Sequence, residues 1–126
     1  MATKILIADD DDKFRTEVQA GLKDTYEVLG AVNGEEGVKL ATANLPAVIL
    51  IDVIMPKLSG IEMLRALQAD MDTRSIPCIA MSASHATPAT QEMFKQESNC
   101  FAFLAKPIKI PDLKAKIEEA IASIPK

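Results

Sequence analysis

Asp9 and Asp10 close an apolar run, KILIA, and open a row of four aspartates that extends to Asp12. Another carboxylate, Asp52, closes the run AVILID. A hydroxyl, Ser82, stands near the end of PCIAMSA, and an ammonium, Lys106, follows FAFLA directly before Pro107. Gathered in one place, these side chains are three carboxylates, a hydroxyl and an amine. Three neighbouring carboxylates cannot all stay ionised cheaply, because like charges raise one another's pKa. A divalent cation relieves that repulsion. Hard oxygen ligands, few in number, suit Mg²⁺, which keeps several waters and takes one or two carboxylates plus a phosphate. Beside such an ion an aspartate can act as a nucleophile towards phosphorus. Metal and lysine would neutralise the transferring oxygens, and the hydroxyl would donate to a further one. The chemistry is phosphoryl transfer to Asp52, provided that one scaffold gathers all five residues.

The elements between these residues supply such a scaffold. Five short apolar stretches read as strands: KILIA (4–8), YEVLGAV (26–32), AVILID (47–52), PCIAMSA (77–83) and FAFLA (101–105). Helical spacing fills the gaps. It is carried by Phe14, Val18, Gly21 and Leu22, and then by Val38, Leu40 and Ala41 after a capping-box-like Asn33 and Glu36. A third stripe is Ile61, Leu64, Leu67 and Met71, with Ser59 as a candidate N-cap. Thr87-Pro88 reads as cap and first helical residue, opening a mostly polar helix whose main apolar anchors are Met93 and Phe94. The last stripe runs through Leu113, Ile117, Ala120, Ile121 and Ile124. Asp11 and Asp12 read as the start of the first helix, where negative charge is favoured. Tyr26 and the methionines read as packing.

Five βα units imply a parallel sheet with helices on both faces, because right-handed crossovers return over the sheet. Such sheets place their sites beyond the carboxyl ends of the strands. Four of the five strands end in the residues named above. The second ends in AVNG, which offers nothing distinctive.

With 126 residues the chain suffices for one domain, residues 1–126, and is too short for two. A net charge of −4 gives no reason to expect nucleic acid or an anionic membrane as partner. No apolar run approaches the roughly 20 residues that span a bilayer, and the amino terminus does not read as a signal peptide. Cys78 and Cys100 lack metal-ligand spacing and read as reduced thiols, which fits a cytoplasmic protein.

The stretches ILIADDD, LIDVIMPKLSG, IAMSA and FLAKPI together resemble the receiver domain of two-component response regulators, over essentially the whole chain. The resemblance implies an α/β, doubly wound (βα)₅ flavodoxin-like sandwich with a five-stranded parallel sheet of order 2-1-3-4-5. It implies that Asp52 accepts a phosphoryl group from a sensor histidine kinase, a phosphotransfer protein or a small phosphodonor. It further implies that Asp10 contacts Mg²⁺ directly, that Asp9 acts largely through water, and that the backbone carbonyl of Ile54 is another ligand. Ser82 stands at the family's Ser/Thr switch position, Lys106 at its lysine and Phe103 at its aromatic switch, and the Lys106-Pro107 bond is expected to be cis. The output is then a downstream partner at the face of the fourth helix, fifth strand and fifth helix, from a monomer or a phosphorylation-dependent dimer. Such a protein is a regulator that catalyses its own phosphorylation and dephosphorylation rather than an enzyme acting on other substrates.

Several positions depart from the pattern. Phe103 replaces the commoner tyrosine and lacks a hydroxyl. Ile54 and Ser84 stand two residues after Asp52 and Ser82, where the family tunes access to the site. Phe101 replaces a frequently polar residue, His85 reads as surface decoration, and Met55 and Pro56 shape the loop after the acceptor. Other functions fit less well. An aspartyl-nucleophile phosphatase would want a second acid where Ile54 stands. A flavin carrier would have its phosphate repelled by the four aspartates. A non-phosphorylated interaction module of the same fold would be expected to lack a site residue, and none is missing.

Overall fold

Alternate residues leave opposite faces of a strand. The computed structural model, which describes residues 3–83 and 87–124, turns that alternation into two cores. Ser84 and His85 lie outside the described residues. Strands and helices alternate as β1 (Thr3–Ala8), α1 (Asp12–Leu22), β2 (Tyr26–Ala31), α2 (Gly34–Asn44), β3 (Val48–Asp52), α3 (Gly60–Gln68), β4 (Cys78–Ser82), α4 (Pro88–Lys95), β5 (Cys100–Ala105) and α5 (Ile110–Ala122). All neighbouring strands pair in parallel, in the order β2-β1-β3-β4-β5 that the family resemblance implies.

Leu6, Ala8, Ile49, Ile51 and Ala80 point to the face covered by α2, α3 and α4, where Met63, Leu64, Leu67 and Phe94 close the core. Ile5, Ile7, Val48, Leu50, Ile79 and Met81 point the other way, against Val18 and Leu22 of α1 and Leu113 and Ile117 of α5. Each large apolar side chain so buried contributes about 1.5–3 kcal/mol. β3 is buried along its whole length, while the edge strand β5 is largely half-exposed and Phe101 stands out at its start.

Four of the five helix starts follow side chains that cap them, while α5 starts after Lys109 without a side-chain cap. Asp11 accepts from the amides of Lys13 and Phe14, Asn33 from Glu36, and Thr87 from Thr90. Ser59 and Glu62 form a reciprocal capping box. Several ends depart from the expected pattern. β2 stops at Ala31, because the Val32 amide turns to the Glu36 carboxylate at 3.2 Å. α3 stops at Gln68, and Met71, expected on its apolar stripe, is 77% exposed. There Asp70 accepts from the Asp72 amide, and the buried Thr73 hydroxyl takes the Leu67 carbonyl at 2.7 Å, so side chains replace the next helical turn. α5 ends at Ala122, where the Ser123 hydroxyl takes the Ala120 carbonyl, and Ile124 falls beyond the helix. On α4, Phe94 alone is buried; Met93, expected as a second anchor, is 38% exposed. Cys78 and Cys100 are free thiols, and burial pushes the pKa of both up. Among the described residues no helix is long and apolar enough to cross a membrane.

Candidate functional site

The sheet delivers its polar strand ends to one edge. Asp9 follows β1 and is fully buried; its amide donates to the Ala31 carbonyl at 3.0 Å, which fixes it beside β2. One of its carboxylate oxygens accepts from the Asp11 amide at 2.9 Å. The other accepts from the Lys106 ammonium at 2.7 Å. Asp52, the last residue of buried β3, lies 3.6 Å from the same ammonium. Asp10 is exposed at the rim. Carboxylate oxygens of Asp9, Asp10 and Asp52 all lie within 4.8 Å of one another.

Electrostatics at Asp52 follow from this crowding. Burial raises its pKa most, the negative charges of Asp9 and Asp10 add to the rise, and Lys106 opposes it; together they push Asp52 up to about 6. The donor set suits Mg²⁺. Mg²⁺ takes oxygen ligands at about 2.1 Å in an octahedron, so adjacent ligand oxygens stand about 3 Å apart and an ion here would draw these carboxylates closer, directly or through water.

The remaining expected residues surround this cluster at different distances from its chemistry. Ser82 is buried at the end of β4, and its carbonyl accepts from the Lys106 amide at 2.6 Å, which ties the lysine to the sheet. Its hydroxyl donates to the Ala83 carbonyl at 3.0 Å and so faces its own loop. The Lys106-Pro107 bond is cis. Ile54 is 77% exposed and lines an apolar groove with Val53, Ile61, Ser82, Met93 and Phe94. Phe103 belongs to the core under α4, with its ring edge-on to Phe94 at 5.5 Å. Met55 is buried in the same core.

Some contributors were not visible in the residue pattern. Arg15 reaches back from α1 to donate to the Asp9 carbonyl at 2.7 Å and pairs with Asp12. The ring of Phe14 lies against Lys106. Gly60 sits so close to the Asp52 carbonyl that an added Cβ would stand 2.5 Å from it, and one on Gly34 would stand 2.2 Å from the Leu58 carbonyl. These two glycines let α3 and α2 clasp the loop after Asp52, in which Lys57 takes a positive φ of 68°.

Known proteins place this arrangement. The family model of the response regulator receiver domain matches residues 5–118. The chain belongs to the response regulator receiver domains. It is 33% identical to the polar-differentiation response regulator DivK of Brucella anthropi, over 88% of this chain and 89% of DivK. It is also 31% identical to histidine kinase P4 of Formosa agariphila, over 93% of this chain, which spans 8% of that kinase. Among solved structures, the receiver domain of sensor histidine kinase PA1611 from Pseudomonas aeruginosa superposes with a TM-score of 0.87 at 27% identity, covering 98% of this chain and all of that one. In that structure a magnesium ion is coordinated in the active-site cleft. Receiver domains are the phosphoacceptor signalling modules of two-component systems and work with histidine kinases or phosphotransfer proteins.

Proposed function

We propose that Asp52 is the phosphoacceptor of this receiver domain and that Asp9 and Asp10 hold Mg²⁺ beside it. The observation that carries the reading is the placement of one buried, pKa-raised carboxylate against two others and one ammonium. Bound Mg²⁺ would neutralise the carboxylates and the phosphoryl oxygens. Asp10, exposed at the rim, suits direct ligation, and Asp9, already engaged by Lys106 and the Asp11 amide, suits contact through water. The Ile54 carbonyl is the further ligand that the family pattern supplies.

An Asp52 oxygen attacks phosphorus while the bond to a phosphohistidine nitrogen, or to the oxygen of a small donor, breaks. Lys106 meets the charge on the transferred group. The Ser82 hydroxyl leaves the Ala83 carbonyl for a phosphoryl oxygen, and Phe103 follows by repacking against Phe94. The new charge, about −1.5 to −2 by analogy with phosphate esters, thereby biases the α4-β5-α5 face, where a downstream protein reads it. On this reading the whole chain, 1–126, is one cytoplasmic regulator that uses a sensor kinase or phosphotransfer protein as donor and turns over only its own phosphoryl group.

Incubation with acetyl phosphate and Mg²⁺, followed by intact mass, tests this. Wild type should gain one phosphoryl group and Asp52→Asn none. An adduct on both proteins, or on neither, contradicts the assignment.

A further inference from the structure

Lys106 has a flexible four-carbon stem and follows an edge strand, so two carboxylates alone do not define where its ammonium sits. The ammonium also lies over the ring of Phe14, whose centroid is 4.4 Å from Nζ. The same ammonium is 2.7 Å from Asp9 and 3.6 Å from Asp52. The lysine side chain is only 18% exposed, so this contact is partly desolvated. An aromatic face attracts a cation through its quadrupole, whereas an aliphatic side chain at the same place offers packing alone. The ring is itself held: Phe14 packs against the α1/α5 core, and its amide is one of the two capped by Asp11.

We propose that Phe14 is a positioning residue for phosphoryl transfer, acting through Lys106. Its ring keeps the ammonium over the space between Asp9 and Asp52, where charge appears on the incoming group. The proposal rests on the phosphoacceptor reading above and adds to it a residue that touches neither metal nor phosphorus. Loss of the aromatic face should slow phosphoryl uptake about three- to tenfold, the range of a partly desolvated cation–π contact. Mg²⁺ affinity, which depends on the carboxylates, should change less than about twofold.

The test uses the full chain in two ways. In a graded series, mono-, di- and trifluorinated phenylalanine at position 14 drain the ring face while keeping its shape. The logarithm of the acetyl phosphate reaction rate should fall steadily along the series, and Phe14→Tyr should react like wild type while Phe14→Leu reacts slowly. Without any phosphodonor, NMR should show the Lys106 ε-methylene protons shifted by the ring current and returned towards ordinary lysine values in Phe14→Leu. Rates independent of fluorination, or Lys106 resonances unmoved by Phe14→Leu, overturn the proposal alone. A wild type that takes no phosphoryl group overturns the phosphoacceptor reading and this role together. Because the fluorinated series preserves packing, a poorly folded Phe14→Leu leaves the first arm decisive.

Discussion

The two flanks of the site are built differently. On the α1 flank, Asp11 caps the helix, Arg15 grips the Asp9 carbonyl, Phe14 backs Lys106, and Val18 and Leu22 are fully buried. On the α4 flank, a helix of eight residues holds to the sheet through one buried side chain, Phe94, beside a half-exposed edge strand and an open apolar groove. The first flank defines where charge is placed. The second has few buried contacts to lose, which is the physical signature of a segment that shifts at low cost. A phosphoryl group on Asp52, as proposed, would sit between them, so its charge would meet a fixed wall on one side and a movable one on the other.

The strongest way to break the contrast is to remove the charge that ties the fixed wall together. Lys106→Met leaves buried Asp9 unpaired and should cost about 3–5 kcal/mol in urea unfolding without Mg²⁺, with saturating Mg²⁺ restoring more stability to the variant than to wild type. Equal Mg²⁺ stabilisation of both proteins would show that lysine and metal do not share Asp9. Phe94→Ala attacks the movable wall. It should cost about 3 kcal/mol, and hydrogen exchange should rise in α4 and β5 far more than in α1. Uniform loss of protection across both flanks would erase the distinction.

A smaller effect sharpens the site itself. The pKa of Asp52 is raised from 3.8 to about 6, so the fold favours its protonated form. Its stabilising contribution is fully present below about pH 4 and is lost as pH rises through about 6. In Mg²⁺-free buffer the wild type should therefore lose about 2–3 kcal/mol relative to Asp52→Asn over that window. Parallel pH profiles for the two proteins would remove the carboxylate crowding from the account.

Much of this was legible in the chain because the signals are local. An apolar run that stops at a carboxylate or a lysine marks a buried strand reaching an edge, and Asp9, Asp10, Asp52 and Lys106 meet where those ends predict. The strand order follows from the family pattern and matches the structure. What escaped depends on contacts between distant segments. Phe14 reads as one more apolar residue of a helical stripe until β5 brings Lys106 over it. Gly34 and Gly60 need the Leu58 and Asp52 carbonyls against them before their lack of a side chain means anything. Met71 has the spacing of the α3 stripe but lies outside the helix, because Asp70 and Thr73 end it through side-chain bonds that periodicity does not register. Ser82 stands at the end of β4 as its sequence position implies, but the direction of its hydroxyl, towards Ala83, is a matter of rotamer rather than of sequence.

The most direct test of the fixed and movable flanks is amide hydrogen exchange in Mg²⁺, with and without beryllofluoride as a stand-in for the phosphoryl group on Asp52. Exchange should change in α4 and β5, residues 88–105, while α1 keeps the protection it has in Mg²⁺ alone. Changes as large in α1 as in α4, or none in either, would contradict the account.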